Sequence, residues 1–421
     1  MRILLVTDHY PPFIGGAHRQ NRLIARAMVE RDHEIAVATP WHGGLPRVED
    51  DEGIAVHRLL QLRTSIPALI RDERQRHQPP FPDPVTVVGL RRLIDRFEPE
   101  VIHAYGWISF SLAVALGRRR IPLLLSARDY GYFCATRTLL QNGERPCSGP
   151  SPLKCLHCSG DYYGKPKGWA AAVGVFASKP LLARKVTGLH SVSAYVDDVT
   201  MEHMKPDAGE RGGPIVRVTI PSFQIGSDPD RDVDLDPWLS RLPDEPFILY
   251  VGAFRKVKGL ETLFAAYGRL DDPPPLVLIG THERDSPAAF PSAATLLTDA
   301  PHAAVMRAWD RAMFGVMPSL WPEPFGSTVA EGMTRGKPVI GTTPGGHSDM
   351  IDEESGILVP QDDVDALAEA MATLIGDPEK RDAYGRVAAE RAREFAAESV
   401  LPRFERAYEA VLAANASGAG A

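Results

Sequence analysis

No stretch of this 421-residue chain approaches the roughly 18 consecutive apolar residues of a membrane span, so the sequence does not read as a helical membrane protein. The apolar run in the opening MRILLVTD is too short for a secretory leader, and no small-residue cleavage site follows. It reads as a first strand, and a cytoplasmic protein is expected. Basic charge is not in excess: the formal net charge is -7, which argues against general nucleic-acid binding. Cysteine is nearly missing, with four in the chain and none outside positions 134–158. Stability must therefore come from hydrophobic cores, and 421 residues suffice for two of them.

The charge is unevenly shared. Residues 1–200 hold 26 Lys and Arg against 19 Asp and Glu, while residues 201–421 hold 21 against 35. This supports two halves of different character. Short apolar runs alternate with helical spacing in both. ILLVT (3–7), EIAVAT (34–39), IAVHRL (54–59), VIHAY (101–105), PLLLSA (122–127), LHSVS (189–193) and VRVTI (216–220) read as strands, with HRQNRLIARAMVERD (18–32) among the helices between them. Strands resume with FILYVGAF (247–254), PLVLIG (275–280), ATLLTD (294–299), FGVMPS (314–319), PVIGTT (338–343) and GILVP (356–360). Such alternation predicts parallel sheets covered by helices. The expected organisation is a first Rossmann-like domain over 1–223 with a Cys-rich insertion, a linker over 224–245 rich in Asp and Pro, and a second Rossmann-like domain over 246–395. A C-terminal helix over 396–421 is expected to pack back on the first domain. Folds of this kind bind ligands beyond the carboxyl ends of their strands, here in a cleft between domains.

The densest chemistry lies in WPEPFGSTVAEG, Trp321–Gly332. Two prolines and a glycine restrict the loop. Ser327 reads as the N-cap of a helix beginning near Thr328. Backbone N–H groups of Gly326, Ser327 and Thr328 would then face a phosphate, aided by the helix dipole. Glu331, about one turn in, suits a ribose diol, and Glu323 lies toward whatever the distal phosphate carries. The plainer alternative is that both acids simply favour a helix N-terminus.

The segment PSLWPEPFGSTVAEGMTRGKPVIGTTPGGHSDMI resembles the donor-site signature of retaining GT-B glycosyltransferases of family 4, with its E-x7-E pattern. PPFIGGAHRQ, VIHAYGW, VGAFRKVKGLETL and the Gly345–Gly346 pair extend the resemblance. It implies a GT-B fold and transfer of a sugar from a UDP- or GDP-linked donor to an acceptor, with retention and no metal in the chemistry. A small-molecule or natural-product acceptor is expected, with a glycan or lipid-linked acceptor, or a non-catalytic binding protein, as alternatives. By the same resemblance Glu323 contacts the donor sugar and Glu331 the ribose. Phe325 lies in the donor loop, and Gly15 and Gly16 let the backbone approach the diphosphate. Lys258 and Arg255 neutralise that diphosphate, although Ala253 stands where relatives carry arginine. In the first domain His103, Tyr105, Asp129 and Tyr130 fall near sugar or acceptor. Arg128 replaces a histidine of relatives; always protonated, it suits an anionic group rather than a base's role.

The cysteines Cys134, Cys147, Cys155 and Cys158 end in the knuckle spacing Cys155-Leu-His-Cys158. A structural zinc is expected; a disulfide or redox pair, an iron–sulfur site and free thiols are the other readings. They sit in an insertion over about 129–167, expected as an irregular loop forming part of the acceptor pocket, with the rings of DYGYF at its entry. The apolar, then basic, segment 168–188 reads as a helix interrupted at Pro180, buried in a helix pair or touching a membrane surface. No stable membrane insertion is expected.

Overall fold

The computed structural model describes residues 1–12, 16–65, 78–206, 215–223 and 233–418. By contacts the chain divides into two units, one of residues 1–142, 147–220 and 401–421, the other of 143–146 and 221–400.

In the first unit an eight-stranded sheet runs in the order β10-β9-β6-β5-β1-β2-β4-β3. Its strands are β1 (Arg2–Thr7), β2 (Glu34–Pro40), β3 (Val48–Asp51), β4 (Ile54–Leu59), β5 (Val101–Tyr105), β6 (Leu123–Ala127), β9 (Gly188–Ser191) and β10 (Val216–Thr219). All pairings are parallel except β3 with β4. The central strands β5 and β6 are buried at every position, as a sheet covered on both faces requires. The covering helices are α1 (Gly16–Val29), α2 (Leu62–Ser65), α3 (Pro84–Phe97), α4 (Ile108–Leu116), α5 (Pro152–Tyr163), α6 (Lys165–Ala183) and α7 (Ala194–Met204). Asp83 and Ser193 accept from backbone N–H groups of Thr86 and Val196 and so begin α3 and α7. A separate hairpin pairs β7 (Leu140–Gln141) with β8 (Arg145–Pro146).

The second unit is a six-stranded parallel sheet in the order β13-β12-β11-β14-β15-β16. Its strands are β11 (Phe247–Val251), β12 (Leu276–Gly280), β13 (Thr295–Thr298), β14 (Ala312–Met317), β15 (Val339–Thr343) and β16 (Gly356–Pro360). Its helices are α8 (Asp236–Leu239), α9 (Leu260–Tyr267), α10 (His302–Arg311), α11 (Ser327–Thr334), α12 (Val364–Gly376) and α13 (Pro378–Arg391). Helix α14 (Ala397–Gly418) closes the described chain. In both units the strand order reverses direction about the first strand, the doubly wound pattern.

The insertion differs from its expectation. Rather than being irregular throughout, its second part is helical: Pro152 opens α5, so Cys155 and Cys158 lie on a helix. Pro180 sits inside α6 without ending it. The two helices pack closely where Gly168 meets Ser159; a methyl group on Gly168 would lie 1.9 Å from the Ser159 carbonyl oxygen. The expected linker falls on residues 224–232, outside the described residues, and on α8.

Candidate functional site

The carboxyl end of β14 leads into the loop carrying Glu323, and α11 follows. The helix cap is Gly326, at φ 108°, and not Ser327 as expected; no side chain caps the first turn. The reason is space: the ring of His347 closes on Gly326, where a β-carbon would meet it at 2.7 Å. Gly326 also has a backbone geometry that other residues rarely adopt. Ser327 and Thr328 begin the helix, with Thr328 Oγ1 3.5 Å from Met317 Sδ. Phe325 is buried edge-on against Phe395, 5.6 Å between centroids. The Gly345–Gly346 pair lets a second loop lie backbone on backbone against this one. Gly346 N–H donates to Glu323 O at 2.6 Å, and a β-carbon on Gly346 would fall 2.3 Å from Pro324 O.

Glu323 is the hub. Its Oε2 accepts from Lys258 Nζ at 2.8 Å, Ser319 Oγ at 3.0 Å and Trp321 Nε1 at 2.8 Å. Lys258 also stands over the Trp321 ring, 5.3 Å from its centroid. Burial pushes the Glu323 carboxyl up, but Lys258, His347 and the bonds from Lys258 and Ser319 outweigh it and hold the group below its ordinary value. Glu323 is therefore a buried carboxylate, ionised at neutral pH. His347 is pushed down to about 4, chiefly by burial, and is neutral; its Nδ1 accepts from Thr342 N–H at 3.2 Å. Arg255 pairs with Asp285, Nε to Oδ1 at 3.1 Å, while Lys258 reaches Glu323. One turn into α11, Glu331 Oε1 meets His302 Nε2, at the start of α10, at 3.1 Å. Ser319, Trp321, His302 and His347 were not singled out from sequence. Ser319 and Trp321 lie inside the quoted motif, whereas His302 is brought in only by the fold.

In the first unit the carboxyl ends of β1, β5 and β6 gather a second polar cluster. Tyr105 Oη donates to Asp129 Oδ2 at 3.1 Å, and Asp129 forms its ion pair with Arg137. Burial would raise the Asp129 carboxyl, yet Arg137 with the Gly131 N–H and Tyr105 holds it low. Arg128 donates to Asn21 Oδ1 at 3.2 Å and lies over the Tyr105 ring, 5.5 Å from its centroid. Burial lowers its affinity for its proton. Asp8, at the end of β1, is fully buried and raised to about 6 by that burial, although Arg137 and the backbone N–H groups of Ile108, Gln78 and Trp107 oppose the shift. Tyr130 is wholly buried, with its ring against Phe133 and Tyr195. His103 is buried as well: Nδ1 lies 2.9 Å from Tyr408 Oη on α14 and Nε2 2.6 Å from Ser126 Oγ, which in turn lies 2.6 Å from His190 Nδ1. Gly16 begins α1; Gly15 lies outside the described residues.

No disulfide joins the four cysteines. Cys158 Sγ accepts from Asn142 N–H at 3.2 Å and Cys155 Sγ from Ser151 N–H at 3.4 Å. Burial first, and then the neighbouring thiols, Cys134 and Cys147 among them, push both up. Among the described residues no group of three or more His, Cys, Asp or Glu side chains is placed to hold a metal ion.

A half-buried lysine–carboxylate pair at a strand-to-helix loop, followed by a second carboxylate on that helix, suits a phosphorylated sugar ligand in a doubly wound fold. Comparison with known proteins gives the class a family. Residues 239–391 match the model of glycosyl transferases group 1, and residues 15–203 that of the glycosyl transferase 4-like domain. Each half of the chain thus matches a glycosyltransferase model, and the fold is GT-B. It is 26% identical over 399 residues to the D-inositol 3-phosphate glycosyltransferase of Paenarthrobacter aurescens, covering 90% of this chain and 89% of that one. Among solved structures, sucrose-phosphate synthase from Thermosynechococcus elongatus superposes with a TM-score of 0.71 at 20% identity, covering 98% of this chain and all of that one. Anabaena HepE, solved in complex with UDP, gives 0.64 at 16% identity, with 97% and 100% coverage.

Proposed function

We propose that this glycosyltransferase moves a sugar from a UDP- or GDP-linked donor to an acceptor hydroxyl with retention of the anomeric configuration. The observation that carries the reading is the Lys258–Glu323 pair at the uncapped start of α11, with Glu331 on the same helix. The ribose diol donates to Glu331, and the diphosphate meets the first-turn N–H groups. As the glycosidic bond stretches, the anomeric carbon gains positive charge, which the ionised Glu323 favours. Lys258 offsets the charge growing on the leaving phosphate. That phosphate oxygen takes the acceptor's proton on the same face, so positioning does the work of a strong base. Arg255 neutralises the diphosphate from the neighbouring loop once Asp285 releases it.

The strand-end cluster of the first unit reads the acceptor in this scheme, with Arg128 receiving an anionic group of a small-molecule acceptor and Tyr105 and Asp129 its hydroxyls. The structural zinc is a separate proposal, supported by two backbone N–H···S bonds and by thiols close enough to shift one another. The side chains must rotate together to enclose an ion.

The test of the transfer reading is incubation with UDP-glucose and GDP-mannose, with proton NMR of any product. An axial product linkage supports retention. An equatorial one removes it, and nucleotide binding without turnover with any acceptor leaves a binding protein.

A further inference from the structure

A helix that is apolar on all sides is ordinarily buried on all sides. Helix α6 is apolar on all sides and buried on only one. Ala171, Ala172, Val175 and Leu182 face the interior of the first unit. On the opposite side, at helical spacing, stand Trp169, Val173 and Leu181, which are 48%, 59% and 45% exposed. Ala170 and Ala177 fill the stripe between them and are exposed too. Leu153 and Tyr162 of the adjoining α5 are also exposed, so these two helices hold five of the ten large apolar side chains open to solvent among the described residues. A sixth, Phe81, lies against α6 at Gly174. Clustering of this degree marks a contact surface rather than ordinary surface scatter.

The charges around the stripe select what covers it. No acidic residue occurs between Asp161 and Asp197, a stretch that holds Lys165, Lys167, Lys179, Arg184 and Lys185. Lys179 and Lys185 donate to the backbone carbonyls of His203 and Gly117. Lys165 and Lys167 at one end of the helix and Arg184 at the other are exposed. A second copy docking by the same face would bring these like charges together with no acid on α6, and only Asp161 on α5, to offset them. A bilayer surface carrying anionic headgroups offers an apolar boundary for the stripe and phosphates for the cations at its ends. No described helix is long and apolar enough to cross a membrane, so the contact is one of lying on the surface.

We propose that the outer face of α6, with Leu153 and Tyr162 of α5, docks the first unit onto an anionic lipid surface. The inference does not depend on the donor-site reading. The membrane side would receive Trp169, Val173 and Leu181 among the upper acyl groups, with Lys165, Lys167 and Arg184 at headgroup depth.

The test is co-sedimentation of the full chain with phosphatidylcholine vesicles containing about one-third phosphatidylglycerol, against pure phosphatidylcholine, at low and physiological salt. Binding to the anionic vesicles that weakens with salt is the expected result. The combined substitution Trp169→Ser, Val173→Ser and Leu181→Ser should bind at least about tenfold more weakly, since each residue loses apolar burial. Lys165→Glu with Lys167→Glu should show a similar loss and a shallower salt dependence. Val48→Ser, on an exposed apolar residue of β3, should bind as the wild type does. All of these positions are exposed, and an unchanged thermal midpoint confirms folding; if the triple variant misfolds, the charge variant carries the test alone. Absence of binding at low salt would overturn the proposal, as would variants that bind like the wild type. A concentration-dependent dimer abolished by the triple variant, with no vesicle binding, would assign the face to a second copy instead.

Discussion

At the residue scale the account turns on Glu323 and its three donors. Lys258→Ala removes the cation that offsets the leaving phosphate, and turnover should fall at least about a hundredfold in a steady-state assay. The same substitution also leaves Glu323 buried with only Ser319 and Trp321, so its pH dependence should change. In the native protein the folded Glu323 titrates below its ordinary 4.5. The stability it contributes is complete above that ordinary value and is lost as pH falls through the lowered one. Asp8 has the opposite sign. Its folded value of about 6 lies above the ordinary 3.8; burying its charge therefore costs stability as pH rises from about 4 through 6. Asp8→Asn should raise stability at pH 7 by on the order of 2–3 kcal/mol, with little gain at pH 4, as measured by urea unfolding at both pH values. His302→Ala should weaken nucleotide binding severalfold by freeing the Glu331 carboxylate, and should add little once Glu331→Ala is present. Glu323 and Glu331 stand out in the sequence by their spacing around prolines and glycines, and Lys258 only by the resemblance to family 4 glycosyltransferases. His302 was not, since nothing local ties it to a carboxylate 29 positions away. His103 was legible only through the resemblance, and it lies buried in the middle of β5. The partner that occupies it, Tyr408, lies 305 positions along the chain.

At the element scale the parallel strands of both sheets could be read from their apolar runs, because strands covered on both faces must be apolar throughout. The edge strand β3, with sequence VEDD and no buried position, gives no such signal. Neither does the two-residue hairpin β7–β8. The cap of α11 was misread for a related reason: Ser327 has the right side chain, but the close approach of His347 leaves room only for glycine one position earlier. The α5–α6 contact offers a direct check. Gly168→Ala forces a methyl group into the Ser159 carbonyl and should cost roughly 1–3 kcal/mol or more in denaturant unfolding. Zinc content belongs to the same element pair. Elemental analysis of protein purified without chelator should find about one zinc per chain, lost together in the Cys155→Ser, Cys158→Ser variant. Metal-free, fully active protein with four titratable thiols would remove the zinc proposal.

At the scale of the whole molecule, charge composition points to two halves of different character, and the alternation of strand and helix patterns to doubly wound units; the family models match 15–203 and 239–391. The outward face of α6 was only one reading of segment 168–188, beside burial in a helix pair. An apolar helix in a sequence looks the same whether its second face meets protein or nothing, and only the fold shows which residues are left open. The most direct test of the central claim is calorimetric titration of the chain with UDP, GDP, ADP and dTDP in the absence of divalent metal. The account predicts saturable binding of UDP or GDP, weakened roughly 10- to 100-fold by Glu331→Ala. Failure of all four nucleotides to bind, or a Glu331→Ala variant that binds as tightly as the wild type, would contradict it.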